Sequence, residues 1–167
     1  LPLSAVIGPS EIMDFASAFS IMTTSGNPVS VSVGRSVLKT IQDENLISNA
    51  SIVGKNLQEG FRQLANKHEL IGDVRGRGLA IGVELVKNRH TSKEPAKLET
   101  AKIVYRAYEL GLVIFYVGME SNVLELTPPL IINEKESNSG IEILDQAFTD
   151  VSNGLVPDSI IEKYKGW

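Results

Sequence analysis

One stretch, residues 79–85, limits the fold of this chain more than any other. Apolar side chains occupy every second position, and small or charged residues fill the positions between: Leu79, Ile81, Val83 and Leu85 alternate with Ala80, Gly82 and Glu84. Successive side chains of a β-strand point to opposite faces of the sheet. The alternation therefore predicts a strand with one face buried.

The rest of the region after Ile71 predicts partners for that strand. The predicted elements are a polar loop at 88–96, a helix at 98–108 ended by Gly111, two strands at 112–117 and 123–126 around a turn, and a helix at 141–151 ended by Gly154 and Pro157. The order is strand, helix, strand, strand, helix. Such an order is typical of a small α+β unit.

The front of the chain is less regular. Residues 1–9 form a short apolar run closed by Gly8 and Pro9, which predicts a buried strand and its end. Residues 10–15 predict a single helical turn with Ser10 as its cap. A strand, a loop and a helix have too few partners for a sheet of their own, so we interpret this region as the tail of a larger α/β domain.

The segment 29–41 fits two periods. Its valines alternate with serines as in a strand, yet apolar residues also recur at every fourth position as in a helix. Asn27 is a favourable N-cap and Pro28 a favourable first helical residue, whereas proline is unfavourable inside a central strand. These two residues favour the helix. A second helical pattern runs from Leu46 to about Glu69.

Composition excludes several classes of protein. The 167 residues carry 16 Lys and Arg against 20 Asp and Glu, a net charge of −4, so nucleic acid and anionic membrane are unexpected partners. No apolar run reaches the roughly 18 residues that a membrane span requires. The absence of cysteine excludes disulfides, thiolate metal sites and a cysteine nucleophile.

Few side chains suggest a reactive centre. The run 75–82 is similar to a dinucleotide-binding fingerprint, but its third glycine comes one residue late and a strand follows instead of a helix. We interpret it as a turn entering a strand. His68 and His90 lack a second metal ligand at suitable spacing, so both are expected at the surface and no metal site is predicted. Three helical lysines are expected to be solvated: Lys39, Lys55 and Lys67.

The loop at 23–28 is the one candidate for ligand binding. Hydroxyl groups, including those of Thr23 and Thr24, and main-chain N–H groups precede a helix there, and a helix N-terminus favours anions. The same residue types also form ordinary helix caps. The residues alone leave both interpretations open, a phosphate anchor or a capping loop.

Four separated segments form one pattern when they are taken together. They are Leu-Pro-Leu-Ser-Ala-Val-Ile-Gly-Pro at 1–9, Thr-x-x-Gly-Asn-Pro at 23–28, Gly-Asp-Val-Arg-Gly-x-Gly at 72–78 with Gly-Val-Glu-Leu at 82–85, and Asn-Val-Leu at 122–124 with Pro-Pro-Leu at 128–130. In this order they resemble the class III pyridoxal-phosphate (PLP) aminotransferases, most of all the 4-aminobutyrate aminotransferase branch. The resemblance covers about residues 1–150.

The resemblance implies the C-terminal portion of a fold-type-I PLP enzyme, with residues 1–45 as the tail of the large PLP-binding domain and residues 46–167 as a small α+β domain. It implies PLP as cofactor and a cytoplasmic homodimer whose active site is shared between subunits. Thr23 and Thr24 are the implied cofactor-binding residues, with Thr23 reaching the PLP phosphate of the other subunit. The Schiff-base lysine is expected upstream of Leu1, so the chain alone is expected to be inactive.

Glu125 departs from the family pattern. Related aminotransferases usually carry an arginine at this strand position, where it binds the substrate α-carboxylate. A carboxylate would repel that group, because like charges about 4 Å apart cost about 4 kcal/mol at an effective dielectric of 20. Three explanations are open: substrates bind in a different way, another cation binds the substrate carboxylate, or Glu125 faces solvent.

The implied activity is amino transfer from an amino acid or ω-amino acid, such as 4-aminobutyrate, to a 2-oxo acid such as 2-oxoglutarate. An amino-acid racemase or epimerase of the same family is the alternative, and Glu125 favours it because a racemase needs no clamp for a second substrate. An alternative of another class is a non-catalytic binding or assembly domain. The front of the chain has too few strands for a sheet of its own, which argues against this alternative.

Overall fold

The computed structural model describes residues 1–16 and 23–163. The chain divides into two compact units, Leu1–Leu46 and Ile47–Trp167. The helices in the described part of the first unit are α1 (Ser10–Met13) and α2 (Pro28–Asp43). In its described part, no residue before Leu46 is buried.

Two predictions for the first unit are wrong. Residues 1–9 have no regular secondary structure and are exposed, instead of forming a buried strand. A strand needs a neighbour with which to exchange main-chain hydrogen bonds, and the described part of this unit contains none. Ser10 is the first residue of α1 and not its cap, because Pro9, with ψ at 144°, occupies the N-cap position.

The prediction of a helix over 29–41 is confirmed by α2. The side-chain oxygen of Asn27 accepts hydrogen bonds from the N–H groups of Val29 (3.1 Å) and Ser30 (3.2 Å). Pro28 is the first helical residue, where its missing N–H leaves no acceptor unsatisfied. The cap and the proline therefore start the helix where the sequence places them.

The second unit contains the remaining elements. The helices are α3 (Leu46–Lys67), which begins at the boundary between the units, α4 (Lys97–Glu109), α5 (Glu134–Ser152) and α6 (Asp158–Lys163), and the strands are β1 (Ile71–Arg77), β2 (Ala80–Asn88), β3 (Ser92–Pro95), β4 (Phe115–Val117) and β5 (Val123–Leu126). The sheet has the order β1-β2-β5-β4, with β3 paired to β2, and its pairings are antiparallel. The strand predicted at 79–85 is confirmed as β2, and the helices predicted at 46–69, 98–108 and 141–151 are confirmed as α3, α4 and α5.

One face of the sheet carries the hydrophobic core. Side chains from β2 and β5 contribute to a cluster with those of α3, α4 and α5: Ile81, Val83, Leu85 and Leu124 join Leu57, Phe61, Ile103, Leu144 and Phe148. The opposite face carries Gly82, Glu84 and Glu125, which are half-buried or exposed. Glu125 therefore lies on the face of the sheet that does not carry the core.

Three elements of the second unit were not predicted. Residues 71–77 form β1, which pairs with β2 as a hairpin, although Ile71 is its one buried residue and no alternation shows. Residues 92–95, predicted as loop, form β3 against the end of β2. Residues 158–163 form the short helix α6. Each lacks a continuous apolar period because little of its surface is buried.

The hairpin turn between β1 and β2 lies directly against α3. Gly78, at φ +56°, forms this turn, and a Cβ built on Gly54 of α3 would lie 2.0 Å from the Gly78 carbonyl oxygen. Only a residue without a side chain at position 54 permits this distance. Among the described helices, none is both long and apolar enough to cross a membrane.

Candidate functional site

The loop with the two candidate threonines is an exposed turn that leads into α2. Thr23, Thr24, Ser25 and Gly26 form the turn, and all four are exposed. Gly26 has φ at +71°, a backbone conformation that side-chain-bearing residues rarely adopt. The turn therefore presents three hydroxyl groups at the N-terminal end of a 16-residue helix.

The electrostatics of this end of α2 suit an anion. A helix N-terminus carries about half a positive charge, and no acidic residue lies in the first turn of α2. A cavity of about 970 Å³ runs along the helix beside Gly26 and Pro28, and Arg35 and Ser32 line it. Asn27 already accepts from two N–H groups of the first turn, so the hydroxyls of Thr23 and Thr24 are the additional donors. The donors present at this turn are therefore of the kind that a phosphate group accepts from, and the roles of Thr23 and Thr24 stay a prediction.

Glu125 lies in β5, in the second unit. Its register partners are Gly82 of β2 and Phe115 of β4, so Glu125 and Phe115 are direct cross-strand neighbours. The side chain is exposed and makes no hydrogen bond or ion pair with any residue in 1–16 or 23–163. Glu125 thus lies on the sheet face opposite the core, with no ion-pair partner among the residues that the structure describes.

Arg75 forms an ion-pair cluster on that same face. Its guanidinium donates to Asp73 (2.9 Å) and to Glu84 (2.6 Å). The hydrogen bonds with Asp73 and then Glu84 raise the pKa of Arg75 above its ordinary value. Two carboxylates thus share one cation. The cluster ties β1 to β2, which agrees with the interpretation of the 75–78 segment as structural.

The prediction of a surface position for His68 is wrong. The residue is 6% exposed, its Nε2 lies 2.6 Å from Asp145 Oδ1, and its ring stacks on Phe148 at a centroid distance of 5.1 Å. His68 continues the buried stripe of Phe61 and Leu64 at helical spacing, a signal that was present in the sequence. His90 is exposed, as expected.

The helical lysines are exposed, as expected from the sequence. Lys39 pairs with Asp43 at 2.5 Å, and Lys67 pairs with Asp145 at 2.7 Å. Lys55 is exposed on α3. All three ammonium groups are therefore in contact with solvent, as expected for surface lysines.

Comparison with known proteins gives one consistent result. The family described as aminotransferase class-III matches residues 1–148. The chain is 40% identical to the leucine/methionine racemase of Thermococcus litoralis, over all of this chain and 37% of the racemase. It is 39% identical to the 4-aminobutyrate aminotransferase GabT of Escherichia coli, over 89% of this chain and 35% of that enzyme.

A solved structure extends the likeness to the fold. The amine transaminase from an uncultivated Pseudomonas species, in its PLP-bound form, superposes with a TM-score of 0.72 at 29% identity, over 79% of this chain and 30% of that one. The chain spans about a third of the length of the curated relatives it matches. Its mixed α/β structure is accordingly part of the fold of the PLP-dependent transaminases. The chain belongs to the class III aminotransferase family, whose cofactor is PLP.

Proposed function

We propose that the complete protein carrying this chain transfers an amino group from an amino acid or ω-amino acid, such as 4-aminobutyrate, to a 2-oxo acid such as 2-oxoglutarate. The observation that carries this proposal is the match of residues 1–148 to the aminotransferase class-III family. We do not propose the non-catalytic alternative, because the relatives named above are enzymes. By resemblance, the protein works as a cytoplasmic homodimer whose active site is shared between subunits.

Thr23 and Thr24 are assigned to the phosphate of the cofactor. Their support is the exposed turn, the positive end of α2 and the absence of nearby acidic residues in the first helical turn. When bound, PLP acts as an electron sink for a carbanion at the amine-bearing carbon of the substrate. The contribution of this chain is to hold and orient the phosphate through hydroxyl donors.

Substitution of Thr23 tests the assignment in the complete protein. We expect Thr23→Ala to weaken PLP retention about tenfold or more, because a hydrogen bond to a charged group contributes about 1.5–3 kcal/mol. The readout is the dissociation constant of PLP from equilibrium dialysis, with Thr91→Ala, an exposed loop threonine, as the matched control. Unchanged affinity in Thr23→Ala would remove Thr23 from the site.

The lysine that binds PLP is proposed to lie outside these 167 residues. We therefore expect the chain alone to show neither transamination nor the visible absorbance of lysine-bound PLP. Borohydride reduction in the presence of PLP, followed by peptide mass spectrometry, checks this. A reduced adduct at one specific lysine of the chain would overturn it.

A racemase or epimerase of the same family is the second candidate. Two observations favour it: the racemase match extends over the whole chain, and Glu125 has no ion-pair partner among the described residues. The complete protein is incubated with an L-amino acid with and without 2-oxoglutarate. Glutamate formed only with the acceptor establishes a transaminase. Accumulation of the D-isomer without an acceptor establishes a racemase.

We assign Glu125 to substrate binding, because related aminotransferases usually carry a substrate-binding arginine at this strand position. An exposed carboxylate near a bound carboxylate costs about 1 kcal/mol in water, so Glu125→Gln is expected to lower the KM for 2-oxoglutarate about fivefold and Glu125→Arg to lower it further. Glu142→Gln, on the exposed side of α5, is the matched control. A KM that stays constant in both Glu125 variants would leave Glu125 as a solvent-facing residue.

A further inference from the structure

Strand β4 forms one edge of the sheet in the second unit. It pairs with β5 on one side, and its three residues are exposed: Phe115 at 69%, Tyr116 at 41% and Val117 at 41%. Natural edge strands usually carry a charge, a proline or a bulge that prevents pairing with a further strand. β4 carries none of these, and no residue of 1–16 or 23–163 pairs with its other side, so the main-chain groups on that side are available to a further strand.

A groove lies between this edge and α4. In register, Tyr116 is opposite Leu124, so it faces the side of the sheet that carries the core, where Leu124 is fully buried. Next to Tyr116 a cavity of about 1150 Å³ opens, and most of its lining is apolar or aromatic, including Leu98, Ala101, Tyr105 and Tyr108 of α4 and Phe115 and Tyr116 of β4. The cavity therefore lies along the β4 edge, beside the buried cluster, and its apolar lining is accessible to solvent.

The residues that flank β4 extend the apolar surface. Val113 is 69% exposed and Met119 is fully exposed. The charged residues of the groove come from β2, β3 and the first residue of α4: Lys87, Glu94 and Lys97. We call the surface of Val113, Phe115, Tyr116, Val117 and Met119 the apolar edge. So many exposed large apolar side chains within seven residues are typical of a contact site.

We propose that a further β-strand, from the part of the complete polypeptide outside these 167 residues, pairs with β4 and closes the groove. The chain spans about a third of the length of its curated relatives, so a polypeptide of that length has about two thirds of its residues available. The added strand carries apolar side chains on both faces, one face in the groove and the other beside Phe115 and Val117. A second copy of this chain fits less well, because its own β4 offers three residues to fill the groove.

Hydrogen exchange compares the complete protein with the 167-residue chain. We expect the N–H groups of β4 that do not bond to β5 to exchange about a hundredfold more slowly in the complete protein, because a paired edge opens only with its sheet. Equal exchange rates in the two proteins would overturn the proposal. Slow exchange in the chain alone that disappears on dilution would also overturn it, because a second copy would then be the occupant.

A charged residue in β4 is expected to destabilise the paired edge in the complete protein but to improve the behaviour of the 167-residue chain in solution. Tyr116→Lys is expected to speed exchange in β4 of the complete protein about tenfold or more, and to reduce aggregation of the chain alone. Far-UV circular dichroism of the chain checks folding, and Ile131→Lys, an exposed apolar residue elsewhere, is the control. If exchange in β4 of the complete protein is unchanged by Tyr116→Lys while the chain stays folded, no strand pairs there.

Discussion

Gly54 and Gly140 both lie inside helices, but their surroundings are opposite. A Cβ at Gly54 would lie 2.0 Å from the Gly78 carbonyl oxygen, a main-chain atom that cannot move without displacing the hairpin. A Cβ at Gly140 would meet nothing within 4 Å. The first glycine permits a close contact, whereas the second only weakens its helix.

We expect opposite effects of alanine at these two glycines. Gly54→Ala should lower the free energy of unfolding by about 1–3 kcal/mol through overpacking. Gly140→Ala should raise it by about 0.5–1 kcal/mol, because alanine loses less backbone entropy in a helix. Urea unfolding of the chain measures both. A neutral Gly54→Ala would mean that α3 and the hairpin are not in contact.

His68 is the second residue whose environment predicts a measurable effect. His68→Ala removes a buried ring, its hydrogen bond to Asp145 and its stacking on Phe148, so we expect a loss of about 2 kcal/mol in the free energy of unfolding. His90→Ala is the control, because His90 is exposed. Equal effects of the two substitutions would contradict the buried position of His68.

At the scale of elements, two aspartates of α5 connect it to other helices. Asp145 accepts from Lys67 and His68 at the end of α3, and Asp150 accepts from Arg106 of α4 at 2.7 Å. Partial burial raises the pKa of Asp145, but the hydrogen bonds from Lys67 and His68 together outweigh it, so the pKa is below its ordinary value. The hydrogen bond from Arg106 likewise lowers the pKa of Asp150.

These two shifts predict acid sensitivity of the α5 packing. A carboxyl group whose pKa is lower in the folded state stabilises the protein above its unfolded pKa, about 3.9 for aspartate. This stabilisation is lost as pH falls through the lower folded value. We expect the free energy of unfolding to decrease as the pH is lowered below about 4. Asp145→Asn and Asp150→Asn are each expected to make this decrease smaller. Glu142→Gln is the control. If the aspartate variants show the same pH dependence as the unsubstituted protein, the ion pairs of Asp145 and Asp150 do not contribute to stability.

The whole molecule divides unequally between its two units. The described part of the first unit has no buried residue before Leu46, whereas the second contains the entire hydrophobic cluster. We expect a chain of residues 47–167 to unfold cooperatively, with a free energy within about 1 kcal/mol of that of residues 1–167, because burial supplies most of the stability. Urea unfolding of both chains measures this. Loss of the cooperative transition in the shorter chain would show that residues 1–46 are required for the core.

Local sequence signals determined the elements with one buried face. The alternation at 79–85 predicted β2, because burial of one face imposes a period on the side chains. The helix α2 contains no buried residue, and its prediction came from the cap Asn27, the proline at position 28 and the four-residue apolar spacing. The loop before α2 and its two threonines could also be identified from the sequence, through the capping residues and the family resemblance. Their assignment to the cofactor stays a prediction.

Only the tertiary structure decided the features that depend on distant partners. β1 and β3 exist because β2 offers them hydrogen bonds, and residues 1–9, which lack such a partner among the described residues, form no strand. The helical spacing of His68 indicates a buried position, but its hydrogen-bond partner Asp145 lies in α5, 77 residues away along the chain. A period along the sequence records which side of an element is buried, but it does not record which distant residues supply the hydrogen bonds, the charges and the contacts.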